Sequence, residues 1–128
     1  MKGIYILKIH VDREIKITIG ALGPFVFEKG TYFYVGSAQN NLEKRIKRHL
    51  SGDKKIRWHI DYLLQYAKVV NVYYQEADKS QECRTARLLA NKGKAVKGFG
   101  ASDCSCTSHL FQASNLHPTA YGFREWEL

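Results

Sequence analysis

An arginine and a histidine lie four residues apart in a segment with the apolar spacing of a helix. The predicted helix covers residues 40–51, and its apolar stripe consists of Leu42, Ile46 and Leu50. Arg45 and His49 share one side of this helix, at the rim of the stripe, where the helix would meet a sheet. A guanidinium at such a seam needs a polar partner. We therefore expect Arg45 to belong to a site rather than to a solvated surface.

A carboxylate points inward from a later helix. This helix is predicted over residues 79–92, begins at Asp78 or Ser80, and carries Glu82 in its apolar stripe within the first turn. The helix dipole alone would stabilise a carboxylate there. It does not explain the inward direction, because inward carboxylates usually pair with a cation or bind a metal. Glu82 is therefore a candidate metal ligand.

The elements that must position these residues follow from the spacing of apolar side chains. Alternation predicts strands in GIYILKIHV, IKITIG, FVF and TYFYVGS, the last ending at Gly36. Helices are predicted over 40–51, 55–67 and 79–92, with a strand VVNVYYQ before the third. GFGASDCSCTSHLF reads as a loop and a short strand, and TAYGFREWEL as a last strand or tail. The predicted fold is a single α/β (α+β) domain over 1–128, with a small mixed or antiparallel sheet flanked by three helices.

Composition narrows the class of protein and of partner. The 128 residues include 20 Lys and Arg against 12 Asp and Glu, which gives a net charge of +8. Such a balance favours nucleic acid or an acidic membrane surface as partner. No stretch approaches the roughly 20 apolar residues of a membrane span, and no signal peptide is apparent. Three cysteines do not suit a disulfide scaffold. We expect a cytoplasmic protein that does not enter a membrane.

Six cations on and after the first helix are candidate contacts to a nucleic-acid backbone. They are Lys44, Lys47 and Arg48, expected to point away from the sheet, and then Lys54, Lys55 and Arg57. For the first three, the alternative is a charged helix face that is merely solvated.

The residues around these side chains resemble a nuclease family. Gly3-Ile4-Tyr5 lies on the first strand, Tyr34-Val35-Gly36 on a strand that can pair with it, Arg45 on the next helix, and Glu82 later. This ordered set resembles the GIY-YIG nucleases. The segments YVGSA, RIKRHL, WHIDYLL and GFGASDCSCTSHLF are similar to a less characterised branch of that family, and they extend the resemblance to about residue 111.

The resemblance implies a three-stranded antiparallel sheet flanked by helices, and hydrolysis of nucleic-acid phosphodiesters with one divalent ion, Mg²⁺ or Mn²⁺. It implies that Glu82 binds the metal and that Arg45 holds the scissile phosphate. Tyr5 and Tyr34 match the two signature tyrosines, of which Tyr5 would orient or deprotonate the attacking water. His49 matches a helix histidine often found in the site, and His59 a second.

These roles suit the chemistry. A metal lowers the pKa of bound water and stabilises the leaving oxygen, while an arginine clamps the non-bridging oxygens. A tyrosine can take the water's proton if nearby cations lower its pKa of about 10. A lone carboxylate suits Mg²⁺, which keeps most of its waters. Gly36 would let the chain turn sharply from strand to helix.

Packing is the alternative role for several of these side chains. Tyr5 and Tyr34 could be ordinary strand aromatics, His49 a satisfied rim histidine, and His59 a structural one. Three further aromatics are expected to pack rather than to stack on bases: Trp58, Tyr62 and Tyr66.

Two segments depart from the family pattern. Between Tyr5 and Tyr34 lie 28 residues (6 through 33), which predicts an extra hairpin inserted near the N-terminus. The second segment is the loop with Cys104, Cys106 and His109, which with Cys83 suggests zinc. Cys-x-Cys is not the usual spacing, so a loop locked by its polar side chains is favoured over a metal site. Asp103 or His109 could line the active site.

We therefore expect a metal-dependent endonuclease acting on DNA. A nucleic-acid-binding module of the same fold without catalysis is the first alternative, and a protein-interaction domain is the second. A homodimer or a partner protein is expected, because a domain of this size binds little nucleic acid alone.

Overall fold

A computed structural model describes residues 1–52, 54–101 and 104–128. The eight strands are β1 (Gly3–Val11), β2 (Ile15–Ile19), β3 (Gly23–Phe27), β4 (Gly30–Ala38), β5 (Lys68–Glu76), β6 (Lys94–Ala95), β7 (Leu110–Gln112) and β8 (Arg124–Trp126). The three helices are α1 (Leu42–Leu50), α2 (His59–Leu63) and α3 (Ser80–Ala90). Short 3₁₀ turns occupy Gly20–Leu22 and Pro118–Tyr121. The predicted α+β fold with three helices is confirmed.

Six strands form one antiparallel sheet in the order β6-β7-β4-β1-β5-β8. The centre of the sheet is β1, which pairs with β4 on one side and β5 on the other. In this register Tyr5 lies opposite Gly36. The segments that carry Tyr5 and Tyr34 are therefore direct neighbours, as the sequence predicted.

Both faces of β1 are buried. One core packs Leu7, Ile9 and Val11 against α1 and α2 through Leu42, Ile46, Ile60 and Leu63. The opposite core packs Ile4 and Ile6 against α3 through Ala86 and Leu89. Both faces of β1 are apolar from Ile4 to Leu7, which suits a position between two layers of helices; on the second face Lys8 is half-buried and His10 is exposed. The two layers place α1 and α3 at opposite faces of the sheet.

The predicted extra hairpin is present as β2 and β3, which form a separate two-stranded sheet. Its outer residues are exposed, but Ile19 and Phe27 are fully buried in the core beside α1 and α2. The insertion is therefore part of the folded core.

Three predicted boundaries are wrong. Strand β4 does not end at Gly36 but continues to Ala38. Helix α2 covers only His59–Leu63 instead of 55–67, because the Asp61 carboxylate accepts the backbone N–H groups of Arg57 and Trp58 and fixes the start there. Helix α3 has Lys79 as its N-cap, rather than Asp78 or Ser80. The two-residue strand β6 had not been predicted.

In the part of the chain that the structure describes, no helix combines the length and the apolar character needed to cross a membrane.

Candidate functional site

A cleft of about 590 Å³ is lined by side chains from β1, β4, α1 and α3. It collects seven of the candidate site residues named from the sequence: Tyr5, Tyr34, Gly36, Arg45, Arg57, His59 and Glu82. Among the described lining residues, three cations (Arg45, Arg57 and Lys79) accompany one carboxylate, Glu82. Such a cleft favours an anionic ligand.

Tyr5 reaches the cleft by lying against Gly36. A Cβ atom added at Gly36 would be 2.4 Å from Cζ and from the hydroxyl of Tyr5, which no side chain tolerates. Gly36 has no positive φ, so its role is close approach and not the sharp turn that the sequence suggested. The Tyr5 hydroxyl then lies 2.6 Å from Nε2 of His49, behind the cleft wall. Two residues from separate elements, Gly36 of β4 and His49 of α1, thus fix the position of the Tyr5 phenol.

Burial holds this pair in its uncharged form. It raises the pKa of Tyr5 above the ordinary value, and the nearby Arg45 guanidinium offsets only part of that effect. Burial likewise lowers the pKa of His49 to about 3, although the charge of Asp61 acts in the opposite direction. Tyr34, beside Tyr5, also has a pKa raised by burial. Near neutral pH the dyad is therefore a protonated phenol hydrogen-bonded to a neutral imidazole.

Glu82 is held at the cleft by two contacts. Its Oε1 accepts the hydroxyl of Ser37 at 2.7 Å, and its Oε2 lies 3.0 Å from Nδ1 of His109. Nδ1 of His109 makes no regular hydrogen bond, so this second contact is a close polar contact. Burial raises the pKa of Glu82, but the interactions with His109 and Ser37 outweigh it and keep the pKa below its usual value. The carboxylate is ionised and 17% exposed.

Arg45 is positioned by a backbone carbonyl and an aromatic ring. Its Nη1 donates to the carbonyl of Ser37 at 3.0 Å, and its guanidinium lies 4.4 Å from the ring centroid of Trp58. A guanidinium carries five N–H donors, so this contact leaves donors for an anion in the cleft. Arg45 therefore lies where α1 meets the sheet, as predicted, and the Ser37 carbonyl is its polar partner there.

Arg48 does not point away from the fold, and this part of the prediction is wrong. Its Nη1 donates to Oδ1 of Asp61 and its Nη2 donates to Oδ2, each at 3.0 Å. Asp61 is fully buried. The Asp61 pKa is raised by burial but lowered more strongly by Arg48 and by two backbone N–H groups. Arg48 also lies 4.3 Å from the Trp58 ring centroid, on which Arg45 packs as well. Its visible role is to join α1 to α2.

The other predicted phosphate contacts differ in position. Lys44, Lys47 and Lys55 are exposed, whereas the Lys54 ammonium donates to the carbonyls of His49 and Ser51 at the end of α1. Arg57 is exposed and lines the cleft. Among these four lysines and one arginine, Arg57 is therefore the side chain within reach of a ligand held by the cleft.

Two predicted lining residues have different outcomes. His59 lines the cleft, and its Nδ1 accepts the backbone N–H of Gly100 at 2.8 Å. The remaining nitrogen, Nε2, then carries the proton of the neutral ring and can donate to a ligand. Burial lowers the pKa of His59, which favours that neutral ring. Asp103 lies outside the described residues.

The side chains of Cys83, Cys104, Cys106 and His109 form a group that could hold a metal ion, the Cys3His cluster. Their ligand atoms all lie within 4.8 Å of one another. Cys83 comes from α3, directly after Glu82, and the other three come from the loop before β7. The loop spacing had counted against a metal site, yet the fold brings these residues together.

The match to a family model covers residues 4–125. The chain belongs to the family described as domain of unknown function DUF123. The DUF123 match includes the cleft residues from Tyr5 to Glu82 and the whole Cys3His cluster. No curated protein and no solved structure matches the chain.

Ser37 and Trp58 are the site residues that the sequence did not single out for function. Ser37 holds Glu82 with its hydroxyl and Arg45 with its carbonyl. Its position directly after Gly36, at the end of a signature strand, was an available signal. Trp58 was expected to pack, and it does pack, but the groups it packs against are two guanidinium ions. Only the folded structure shows that these contacts orient the Arg45 guanidinium toward the cleft.

Proposed function

We propose that this protein is a divalent-metal-dependent endonuclease that hydrolyses phosphodiester bonds of nucleic acid, with DNA as its substrate. The observation that carries the proposal is the convergence of Tyr5, Arg45 and Glu82, from three elements, in one cationic cleft. The central strands β4, β1 and β5 form the antiparallel core that a GIY-YIG nuclease would need. Helices on both faces of that core agree with the same resemblance.

The cleft suits a phosphodiester in charge and in donors. Arg45 has N–H donors facing it, Arg57 and Lys79 add positive charge, and His59 can donate from Nε2. Fixed cations around the developing charge of a phosphate stabilise its transition state more than its ground state. Arg45 is the clamp in this scheme, because Ser37 and Trp58 hold its guanidinium before any ligand arrives.

The carboxylate of Glu82 fits a hard divalent cation. It is ionised, it faces the cleft, and its two contacts leave lone pairs unused on both oxygens. Mg²⁺ or Mn²⁺ bound through one carboxylate would keep most of its waters and take further ligands from the phosphate. When bound, such an ion lowers the pKa of water and stabilises the leaving oxygen.

Tyr5 would orient the attacking water. When Tyr5 donates its O–H to Nε2 of His49, its oxygen keeps lone pairs that can accept from a water in the cleft. Because Tyr5 is protonated and the buried His49 resists a proton, the Tyr5 oxygen orients the attacking water and does not remove its proton.

The proposal is tested by incubating labelled duplex, branched and single-stranded DNA with the protein in Mg²⁺, Mn²⁺ or EDTA. We expect cleavage that requires the metal and is lost in Glu82→Gln, while DNA binding persists. Glu14→Gln, at an exposed carboxylate between β1 and β2, is the matched control and should cleave normally. Unfolding curves of both variants show whether the loss reflects chemistry or folding.

A binding module without catalysis is the second candidate, and one observation favours it. Burial keeps both Tyr5 and His49 uncharged, so the cleft has no ready base near neutral pH. Salt-sensitive DNA binding with no cleavage of any substrate would decide for this candidate.

A further inference from the structure

The Cys3His cluster has the donor set of a mononuclear metal site. Three thiols and one imidazole are soft or borderline ligands, which select zinc rather than the hard Mg²⁺ or Mn²⁺ proposed for Glu82. His109 is 1% exposed, and the three cysteines are half-buried and free of disulfides. A set of four protein ligands also closes the coordination sphere of zinc, as in structural sites.

The distances fit a single ion. Sγ of Cys104 lies 3.4 Å from Nε2 of His109, and Sγ of Cys83 lies 4.0 Å from the same nitrogen. Ligands at tetrahedral angles around zinc, with bonds of about 2.0–2.3 Å, are about 3.5–3.8 Å apart. All four ligand atoms lie within 4.8 Å, so a small closure of side chains completes the site. This spread leaves no room for a cluster of two bridged iron ions.

The histidine is fixed before any ion arrives. Its backbone N–H donates to the carbonyl of Phe99 at 2.8 Å, and its own carbonyl accepts the backbone N–H of Val35 in β4 at 2.9 Å. With Nε2 facing the thiols, the other ring nitrogen faces Oε2 of Glu82 at 3.0 Å. A histidine that binds a metal commonly presents its second ring nitrogen to a carboxylate, which fixes the ring and strengthens the ligand.

We propose that the Cys3His cluster binds one tetrahedral Zn²⁺ that fastens the loop before β7 to α3 and holds Glu82 in position. Two connections join the ion to this carboxylate. Cys83 is its neighbour in α3, and His109 contacts it directly. The zinc is structural, and Glu82 is its outer-sphere partner. The inference does not depend on nuclease activity, because the donor set and the contacts are independent of any substrate.

The test is the metal content of the full chain, purified without a metal-binding tag and without chelator. Elemental analysis is expected to give one zinc per chain, lost in a Cys104→Ser/Cys106→Ser double variant. His109→Asn is expected to lower zinc affinity, whereas the matched variant His117→Asn, at an exposed histidine, should not. Trace zinc only, iron with sulfide in its place, or full zinc retained in the double variant would overturn the site.

Cobalt provides a readout that does not depend on the variants folding. Titrating Co²⁺ into the metal-stripped wild-type chain should produce a thiolate-to-cobalt charge-transfer band and tetrahedral d–d bands, both abolished by added zinc. Absence of these bands would overturn the proposal.

The link to Glu82 has its own measurement. Loss of an outer-sphere carboxylate typically lowers metal affinity about 10- to 100-fold. Glu82→Gln should therefore bind zinc that much more weakly in a chelator competition, with Glu14→Gln unchanged. Equal affinity in both variants would overturn the positioning role while leaving the zinc site in place.

Discussion

The smallest decisive feature is the contact between Gly36 and the ring of Tyr5, since it sets where the phenol lies. A methyl group at Gly36 would overlap the ring at 2.4 Å, and Tyr5 is only 2% exposed. We expect Gly36→Ala to destabilise the fold by about 1–3 kcal/mol, as overpacking does, and to displace Tyr5 from His49. Urea unfolding measures the first effect, and cleavage or binding assays the second.

Gly52→Ala is the matched control for this substitution. Apart from its chain neighbours, no heavy atom of the described residues lies within 4 Å of the Cβ it would add, and Gly52 is exposed. A Gly36→Ala variant as stable and as active as Gly52→Ala would contradict the proposed fit of Tyr5.

A second residue-scale prediction concerns His49 and acid pH. Burial lowers its folded pKa to about 3, so the folded state resists a proton that the unfolded chain binds below about pH 6.5. The contribution of neutral His49 to the free energy of unfolding is therefore fully present above about pH 6.5. It declines toward pH 3, by at most about 1.4 kcal/mol per pH unit. Denaturant unfolding between pH 6.5 and 4.5 should show this slope, and His49→Gln should flatten it.

The exposed His10 provides the control, because His10→Gln should keep the wild-type slope. A wild-type stability that stays constant between pH 6.5 and 4.5 would show that His49 accepts a proton in the folded protein.

At the scale of elements, the buried pair of Asp61 and Arg48 joins α1 to α2. Asp61→Asn removes one charge of a bidentate pair and weakens the acceptor for two backbone N–H groups. Breaking a buried pair by removing one partner costs about 3–5 kcal/mol. The expected shift in urea midpoint should appear in Asp61→Asn and not in Asp78→Asn, whose pair with Lys2 is exposed. A shift in urea midpoint no larger than that of Asp78→Asn would show that the Asp61 pair does not stabilise the fold.

Elements with a clear apolar period could be predicted from the sequence, and those fixed by single contacts could not. The alternation in β2 and the β-forming residues of β1 both appear in the residue pattern. Helix α2 was predicted too long, because the apolar spacing continues through residues 55–67 and does not show where Asp61 captures the backbone. Strand β6, of only two residues, has no pattern to detect.

The site could be predicted in part for the same reason. Arg45 and Glu82 stand out because Arg45 is a charged residue at the rim of an apolar stripe and Glu82 is one within such a stripe. The Cys3His cluster was considered for zinc but disfavoured, since Cys83 meets Cys104 and Cys106 only through the packing of α3 against the loop before β7. Ligands contributed by distant segments have no characteristic spacing along the chain.

At the scale of the whole molecule, the net charge of +8 should make binding to DNA depend strongly on salt. Each phosphate contact adds about 0.9 to the slope of log K against log salt on duplex DNA. Arg57→Ala, which removes an exposed cation from the cleft, should lower that slope by about one contact. Lys16→Ala, on the β2–β3 hairpin, should leave the salt slope unchanged. Equal slopes for the two variants would show that DNA does not bind at the cleft.

The central claim is that the cleft around Arg45 and Glu82 stabilises the transition state of phosphodiester hydrolysis. The most direct test is the single-turnover cleavage rate of Arg45→Ala at saturating protein, on the best-cleaved DNA and in the preferred metal. Lys47→Ala, an exposed cation on the same helix, is the control. We predict a rate about 10²–10³ times lower for Arg45→Ala, as for loss of a transition-state donor, and a wild-type rate for Lys47→Ala. Rates within a few-fold of each other would contradict the claim.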